Sequence, residues 1–371
     1  MNLLLNITLR QLSAWLARSF PGCLVFVAQG LAGALFLGLL IGPGCYNAGN
    51  VAVESAATDN HSLSIGDLAA AGPDHAWVVG ESGEVIRLEV GDSKSHLAYE
   101  RIIGGLPPIQ KISCVSSGTT WGVDNQGIVW RSDNHGNGWE PLGPFDTSVR
   151  NGYRISQLVF VDETTGWIVE SFAVWRSVDG GVTWARRFPT PQLSVESMSA
   201  QPVVISPLPD GSAWLGMTDG KLLRLNVGDA RPVVLSIRAD VRALHALDAN
   251  RCVIGFAQDG GLLTTTDGGA SWRNPLAVDS DRLLVIHSIS FSSPNVGWAV
   301  GSNVSDPQKV LIFKTTDGGM SWTKSASDLE DRAVALRLIN QDTAWLLSVA
   351  SLYLTDDGGN TWKMIRKRSG T

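Results

Sequence analysis

The octet Ser177-Val178-Asp179-Gly180-Gly181-Val182-Thr183-Trp184 constrains this chain more than any other stretch. An Asp here can bond the amides of its own turn, adjacent glycines supply the positive φ angles that a tight turn demands, and Thr-Trp opens the strand that follows. The octet therefore closes a hairpin. It returns over residues 265–272 with Asp267 and Trp272, over 315–322 with Asp317 and Trp322, and over 355–362 with Asp357 and Trp362. A worn copy spans 132–139, where Asn134 replaces the Asp and Gly138 replaces the Ser or Thr. A turn that recurs in this way marks a repeat architecture.

A second marker keeps phase with the first. It is a Trp inside a short apolar run, at Trp77, Trp121, Trp167, Trp214, Trp298 and Trp345. Cys252-Val253-Ile254-Gly255-Phe256 fills the gap between Trp214 and Trp298, and its aromatic is expected to stand where the Trp would be. Spacing of roughly forty-five residues lies in the range of four-stranded propeller blades. The expected fold is thus all-β, a seven-bladed β-propeller of four-stranded antiparallel blades over residues 61–371. Each repeat reads as strands a to d, with the marker on b and the octet between c and d. In repeat seven the expected strands are 333–338, 344–348, 351–354 and 361–365. Repeats one and four lack the octet, and their c strands are expected around 84–87 and 221–224.

Composition agrees with many short strands and tight turns: charged residues are 17%, against about 25% in an average domain, while Gly numbers 40 and Trp 14. The net charge of −6 gives no support to a nucleic-acid partner, because phosphate binding needs a basic surface. Cys114 and Cys252 fall in strands of repeats two and five, too far apart in a ring for a disulfide, and read as buried thiols. No CxxC or HExxH occurs and the six His are scattered, so neither a metal site nor a cofactor is expected.

Residues 1–22 carry Arg10 and Arg18 and no acidic residue, and Leu5, Leu9, Leu12 and Leu16 have helical spacing. Residues 23–42 are apolar and uncharged, long enough to cross a bilayer as a helix. Positive charge precedes this run and none follows before Arg87, which places 1–22 in the cytoplasm and the rest outside it. Its length favours an uncleaved anchor over a cleaved signal. The alternative is cleavage at Gly42-Pro43-Gly44 with Cys45 as lipid acceptor, although Gly42 stands where such signals prefer Leu. Residues 43–60 are small and polar and read as a tether.

Repeats with these octets resemble the BNR or Asp-box group. Seven blades, each with its Trp strand and most with an Asp-Gly-Gly-x-Thr/Ser-Trp turn, look most like the photosystem II stability and assembly factor propellers. The resemblance spans residues 61–366 and implies a non-enzymatic protein on the luminal or periplasmic side of a membrane. Such a protein would assist photosystem II assembly by binding newly made reaction-centre subunits. Similar sequences occur in bacteria without photosynthesis, which keeps open an envelope propeller with another partner. The resemblance also implies an arginine patch.

Arginine dominates the basic residues between 150 and 273, where Lys221 is the only lysine. Guanidinium groups favour bidentate carboxylate pairing and stacking at interfaces. Arg150, Tyr153, Arg154, Arg186, Arg187, Arg231, Arg238 and Arg242 are therefore the candidate partner-binding residues, in or beside loops expected at 142–153, 228–240 and 275–286. Asp179, Trp184 and their equivalents in the other octets are expected to be structural. A sialidase-like or xyloglucanase-like hydrolase is the enzymatic alternative. A sialidase normally opens with a Phe-Arg-Ile-Pro stretch, which this sequence lacks, and Tyr is scarce in it. Asp146, Asp279 and Asp281 would be its carboxylates.

Overall fold

A strand buried on both faces reads as a continuous apolar run, and the seven marker segments are such strands, buried along their length. The computed structural model describes residues 65–80, 82–90, 97–146, 154–188, 201–225, 233–236, 241–256, 261–276, 284–325 and 329–367, and the backbone of 24–29 and 35–40. Blade one is built from Ile65–Ala70, His75–Gly80, Val85–Val90 and Leu97–Ile103, and blade two from Ile109–Cys114, Thr120–Asp124, Ile128–Ser132 and Glu140–Pro144. Blade three has Ile155–Phe160, Gly166–Glu170, Val174–Ser177 and Ala185–Phe188; blade four has Pro202–Pro207, Ala213–Met217, Lys221–Leu225 and Val233–Ser236. Blade five shows three strands, Val241–Ala246, Cys252–Phe256 and Leu262–Thr265, and a single bridge from Thr264 to Arg273 stands in place of its d strand. Blade six comprises Leu284–Phe291, Gly297–Asn303, Asp306–Thr315 and Thr323–Ser325; blade seven comprises Ala333–Leu338, Ala344–Ser348, Ser351–Thr355 and Lys363–Lys367.

Every a strand packs against the a strand of the next blade, and blade seven's packs against blade one's. The ring is closed. Closure uses two complete four-stranded blades side by side, sharing a core of Leu68, Val78, Leu88, Trp345, Leu352 and Ile365. The Trp345 indole N–H donates to the Gly72 carbonyl across that joint at 3.0 Å. Residues 43–60, expected as a tether, lie outside the described residues.

The a strands are sewn together by polar side chains. The Ile112 N–H donates to Asp67 at 3.0 Å, Phe160 N–H to Ser113 at 2.9 Å, Ile205 N–H to Gln157 at 2.8 Å and Leu336 N–H to Ser288 at 3.1 Å. An inner strand has one edge without a strand partner inside its own blade, and these bonds satisfy part of it.

Three expectations need correction. Val253, not an aromatic, holds the Trp place in blade five: it pairs with His245 as Trp167 pairs with Val159, and Phe256 ends the strand. The lost volume is made up nearby, where His245 stacks on Phe291 at 4.9 Å. Parts of the expected loops are strand, namely residues 142–144, 233–236 and 284–286. Finally, within residues 23–42, Leu24–Gln29 and Leu35–Leu40 pair as antiparallel strands, Leu24 opposite Leu40, where a helix was expected. Val25, Phe26, Val27 and Phe36 favour strand, and Gly30 and Gly33 between the runs weaken a helix. Among the described residues no helix is long and apolar enough to cross a membrane. Cys45 and residues 1–23 lie outside the described residues.

Candidate functional site

The octets come first because they decide which side of the ring is left for binding. In blade three the Ser177 hydroxyl donates to Asp179 at 2.8 Å and accepts from the Gly181 N–H at 2.8 Å. Thr183 donates its N–H and its hydroxyl to the two Asp179 oxygens at 2.9 and 2.5 Å, and the Trp184 indole donates to the Gly181 carbonyl at 2.9 Å. The copies at Asp267, Asp317 and Asp357 repeat the bonds to the carboxylate, and those at Asp267 and Asp317 repeat the indole bond as well. In the worn copy Asn134 still accepts from Ser132 and the Gly138 N–H, at 3.0 and 2.8 Å. Gly138 has no hydroxyl, so the second carboxylate oxygen would have no donor and an amide suffices. His135 takes φ 59° there, where Gly180 has 76°.

Each octet also joins two blades. The Trp121 indole of blade two donates to the Gly180 carbonyl of blade three at 2.9 Å, and Arg131 lies 5.0 Å over the Trp121 ring. Arg87 lies over Trp77 and donates to the His135 carbonyl at 3.0 Å; Lys314 lies over Trp298 and donates to the Gly358 carbonyl. Arg176 covers Trp167, and Arg224 pairs with Trp214 in register. Several arginines between 150 and 273 thus serve the blade joints, and Arg251 pairs with Asp248 at 2.7 Å. The Asp carboxylates of the octets are engaged by the donors of their own turns.

The carboxylates of the octets carry a pH signature. Hydroxyl and amide donors, with Ser271 foremost at Asp267 and Thr361 foremost at Asp357, hold both carboxyls at about 2. These values lie below the ~3.9 of an unfolded Asp, so the stability contributed is complete above pH ~4 and drains as pH falls toward ~2. Thermal midpoints followed by circular dichroism should drop across that window, and less steeply when Asp267→Asn and Asp357→Asn are combined. Equal slopes would contradict the assignment.

Octets and a–b turns share one side of the ring; strand a begins, and strands b and d end, on the other. Toward that second side every a strand has a bulge, at Gly66, Gln110, Ser156, Val203, Arg242 and Val334 in the second position and at His287 in the fourth position of the longer Leu284–Phe291. A bulge re-aims its side chain out of the pleat. Arg242 and His287 are therefore equivalent residues on neighbouring blades. Arg332 sits two residues before the bulge of blade seven, where Arg154 sits in blade three. Arg154, Arg242 and Arg332 are exposed. The His287 Nε2 lies 3.0 Å from the Ser302 hydroxyl; burial, then the charges of Arg332 and Arg242, hold its imidazole down at about 4. Arg337 lies near the axis, since its charge reaches both Cys114 in blade two and His245 in blade five. Burial, with Arg337 adding to it, holds His245 at about 4; burial, opposed by Arg337, pushes Cys114 up to about 12. Cys114 and Cys252 are free thiols. The described a strands hold Lys111, Arg242 and Arg337 against the single carboxylate Asp67, inside a chain of net charge −6.

The sequence-derived arginines divide between two places. Arg154 and Arg242 lie at the starts of inner strands, whereas Arg186 and Arg187 lie on the outer strand Ala185–Phe188, with Arg186 6.0 Å over Trp175. Arg150, Tyr153, Arg231 and Arg238 lie outside the described residues. Of the hydrolase carboxylates, Asp146 is buried and Asp279 and Asp281 lie outside the described residues. His287 and Arg332 were missed from sequence. A signal existed, because each bulge residue stands eleven positions before its marker Trp, as Gln110 stands before Trp121 and Val334 before Trp345.

Residues 236–369 match a family model described as photosynthesis system II assembly factor YCF48. No curated protein sequence matches the chain. Among solved structures, YCF48 bound to D1 peptide is 13% identical with a TM-score of 0.58, covering 82% of this chain and 94% of that one. YCF48 from Cyanidioschyzon merolae is 16% identical with a TM-score of 0.59, covering 82% and 98%. The WD40 repeats of RRP9 reach 0.59 at 12% identity, covering 78% and 88%. Shape shows a propeller, and over residues 236–369, about a third of the chain, the sequence is similar to the photosystem II assembly factor YCF48 family.

Proposed function

We propose that this protein is a non-enzymatic assembly factor, held at a membrane and acting on its extracytoplasmic side by binding membrane-protein subunits. In a photosynthetic organism those are photosystem II reaction-centre proteins. The observation that carries the reading is the match of residues 236–369 to the YCF48 family model, on a ring whose octets recur in phase with it. YCF48 itself has been captured with a D1 peptide. The apolar run over residues 23–42 and the positive charge before it support membrane attachment and the extracytoplasmic side.

A propeller that binds a partner segment needs a face that carries charge, and the side bearing Arg154, Arg242 and Arg332 supplies it. Among the described residues no three His, Cys, Asp or Glu are placed to hold a metal ion. Likeness to an ancestral GH74 enzyme, at 14% identity and covering 38% of that chain, reaches the fold alone. Deleting the gene in its own source tests the reading. Assembled partner complex should fall several-fold while synthesis of its subunits continues; unchanged assembly would contradict it.

A further inference from the structure

On strand a of each blade, the residue paired with the marker of strand b holds one equivalent place: Ala69, Ser113, Val159, Ser206, His245, Ser290 and Arg337. Where that residue is serine, its side chain accepts an N–H from strand a of the next blade. Phe160 N–H donates to Ser113 at 2.9 Å, Ala246 N–H to Ser206 at 2.9 Å and Leu338 N–H to Ser290 at 3.0 Å. Val159 needs no acceptor, because the residue at the receiving place is Pro207, which has no N–H. Ala69 is too short to offer one, and His245 stacks on Phe291 instead. At the joint of blades seven and one the place is held by Arg337, a donor where the serines are acceptors.

The receiving N–H at that joint belongs to Ala70. Ala70 pairs with Ala76 as Phe160 pairs with Gly166, Ala246 with Cys252 and Leu338 with Ala344. Its N–H therefore points away from strand b and toward blade seven, as theirs point toward the blade before. Ala70 packs against the same core as Ala335 and Ile339 of blade seven. Among the described residues this N–H has no acceptor, and half-buried Arg337 gives a single N–H to its own Leu336 carbonyl at 3.1 Å and forms no ion pair. The groups that its charge acts on, Cys114 and His245, are both neutral at pH 7. Asp67, the carboxylate on strand a of blade one, accepts from the Ile112 N–H. A half-buried guanidinium beside a backbone N–H without an acceptor is unfavourable until a negatively charged group completes both.

We propose that the central channel holds an inorganic oxyanion of phosphate size at the joint of blades seven and one, bound by the Arg337 guanidinium and the Ala70 N–H. The planar fork of the guanidinium pairs two oxygens of such an anion, and the amide takes a third. The anion supplies at this joint the acceptor that serine supplies at others, and it bridges the blades that close the ring. The site lies toward the octet side, since Arg337 is next to the end of its strand and Ala70 ends its own. It does not depend on the protein-binding reading.

Isothermal titration calorimetry of the full-length protein with inorganic phosphate, at an ionic strength held constant with chloride, tests this. Wild type should bind one phosphate per chain, and its thermal midpoint should rise by several degrees as the site saturates. Arg337→Ser installs the acceptor of the other joints. This variant should fold, bind phosphate at least tenfold more weakly and lose the saturable rise in midpoint. Arg337→Lys keeps the charge without the fork, should weaken binding several-fold, and serves as the second variant should the first not fold. With isotopically labelled alanine, the Ala70 amide resonance should move downfield on saturation of wild type and stay in place in Arg337→Ser. Absence of saturable phosphate binding, undiminished affinity in either variant, or an Ala70 amide that does not respond would each overturn the proposal. An equal rise in midpoint with chloride in place of phosphate would overturn it too, because it would show charge screening alone.

Discussion

Replacing Trp121 by Ala should lower the thermal midpoint by about 10 °C, corresponding to a loss of about 3–5 kcal/mol. Trp121 is fully buried, stacks on Phe160 of the next blade at 3.9 Å and 7°, carries Arg131 on its other side, and donates to the Gly180 carbonyl. Truncation leaves a large void at a joint between blades and strands a buried carbonyl. Trp121→Phe keeps most of the ring volume and removes the indole N–H, for a cost of about 1 kcal/mol for that bond. Differential scanning calorimetry of the two variants should rank Ala far below Phe. A midpoint for the Ala variant within a degree or two of wild type would contradict the view that these indoles lock neighbouring blades.

The second large effect is expected at Gly136, the octet glycine of blade two that faces Trp77 of blade one. Its φ is +75°, and a Cβ there would lie 2.4 Å from the Trp77 ring. Both features penalise Gly136→Ala. A left-handed conformation costs an L-residue about 1–2 kcal/mol and overpacking costs about 1–3, for a total of roughly 3 kcal/mol. Gly104→Ala is the matched control, because nothing lies within 4 Å of its Cβ position. Urea unfolding should show the first variant destabilised and the second close to neutral. Comparable stability for both would mean that the octet is a turn alone and not a joint.

What was legible from sequence was the chemistry that repeats locally. An Asp that bonds its own turn and glycines at positive φ leave the same trace in every copy, so the octets, the marker strands and the blade count were readable. Strand c of blade seven, expected over 351–354, is Ser351–Thr355, and strand d, expected over 361–365, is Lys363–Lys367. The late strand d has a physical reason, because Thr361 bonds back to Asp357 through its N–H and its hydroxyl before the ladder begins.

The remainder depended on partners distant in sequence. Val253 holds the Trp place because of its register against His245, and an isolated Phe256 in an apolar run could not reveal that. Bulges are a property of two paired strands, so the equivalence of Arg242 and His287 emerges only when blades are aligned on their marker residues. Counting arginines pointed to blade three and its neighbours. Two of those arginines, Arg176 and Arg186, lie over the tryptophans Trp167 and Trp175, a role set by the facing strand. Arg332 escaped notice because it closes a short charged run with Glu330 and Asp331, and His287 because it is a single titratable group within an apolar strand.

The most direct measurement is affinity capture of the full-length protein from gently solubilised membranes of its own source, followed by mass spectrometry of the proteins retained. The account predicts newly made membrane-protein subunits, photosystem II reaction-centre proteins in a photosynthetic source, and their loss when Arg242 and Arg332 are replaced. Retention of no membrane-protein subunit, under conditions where the ring remains folded, would contradict it.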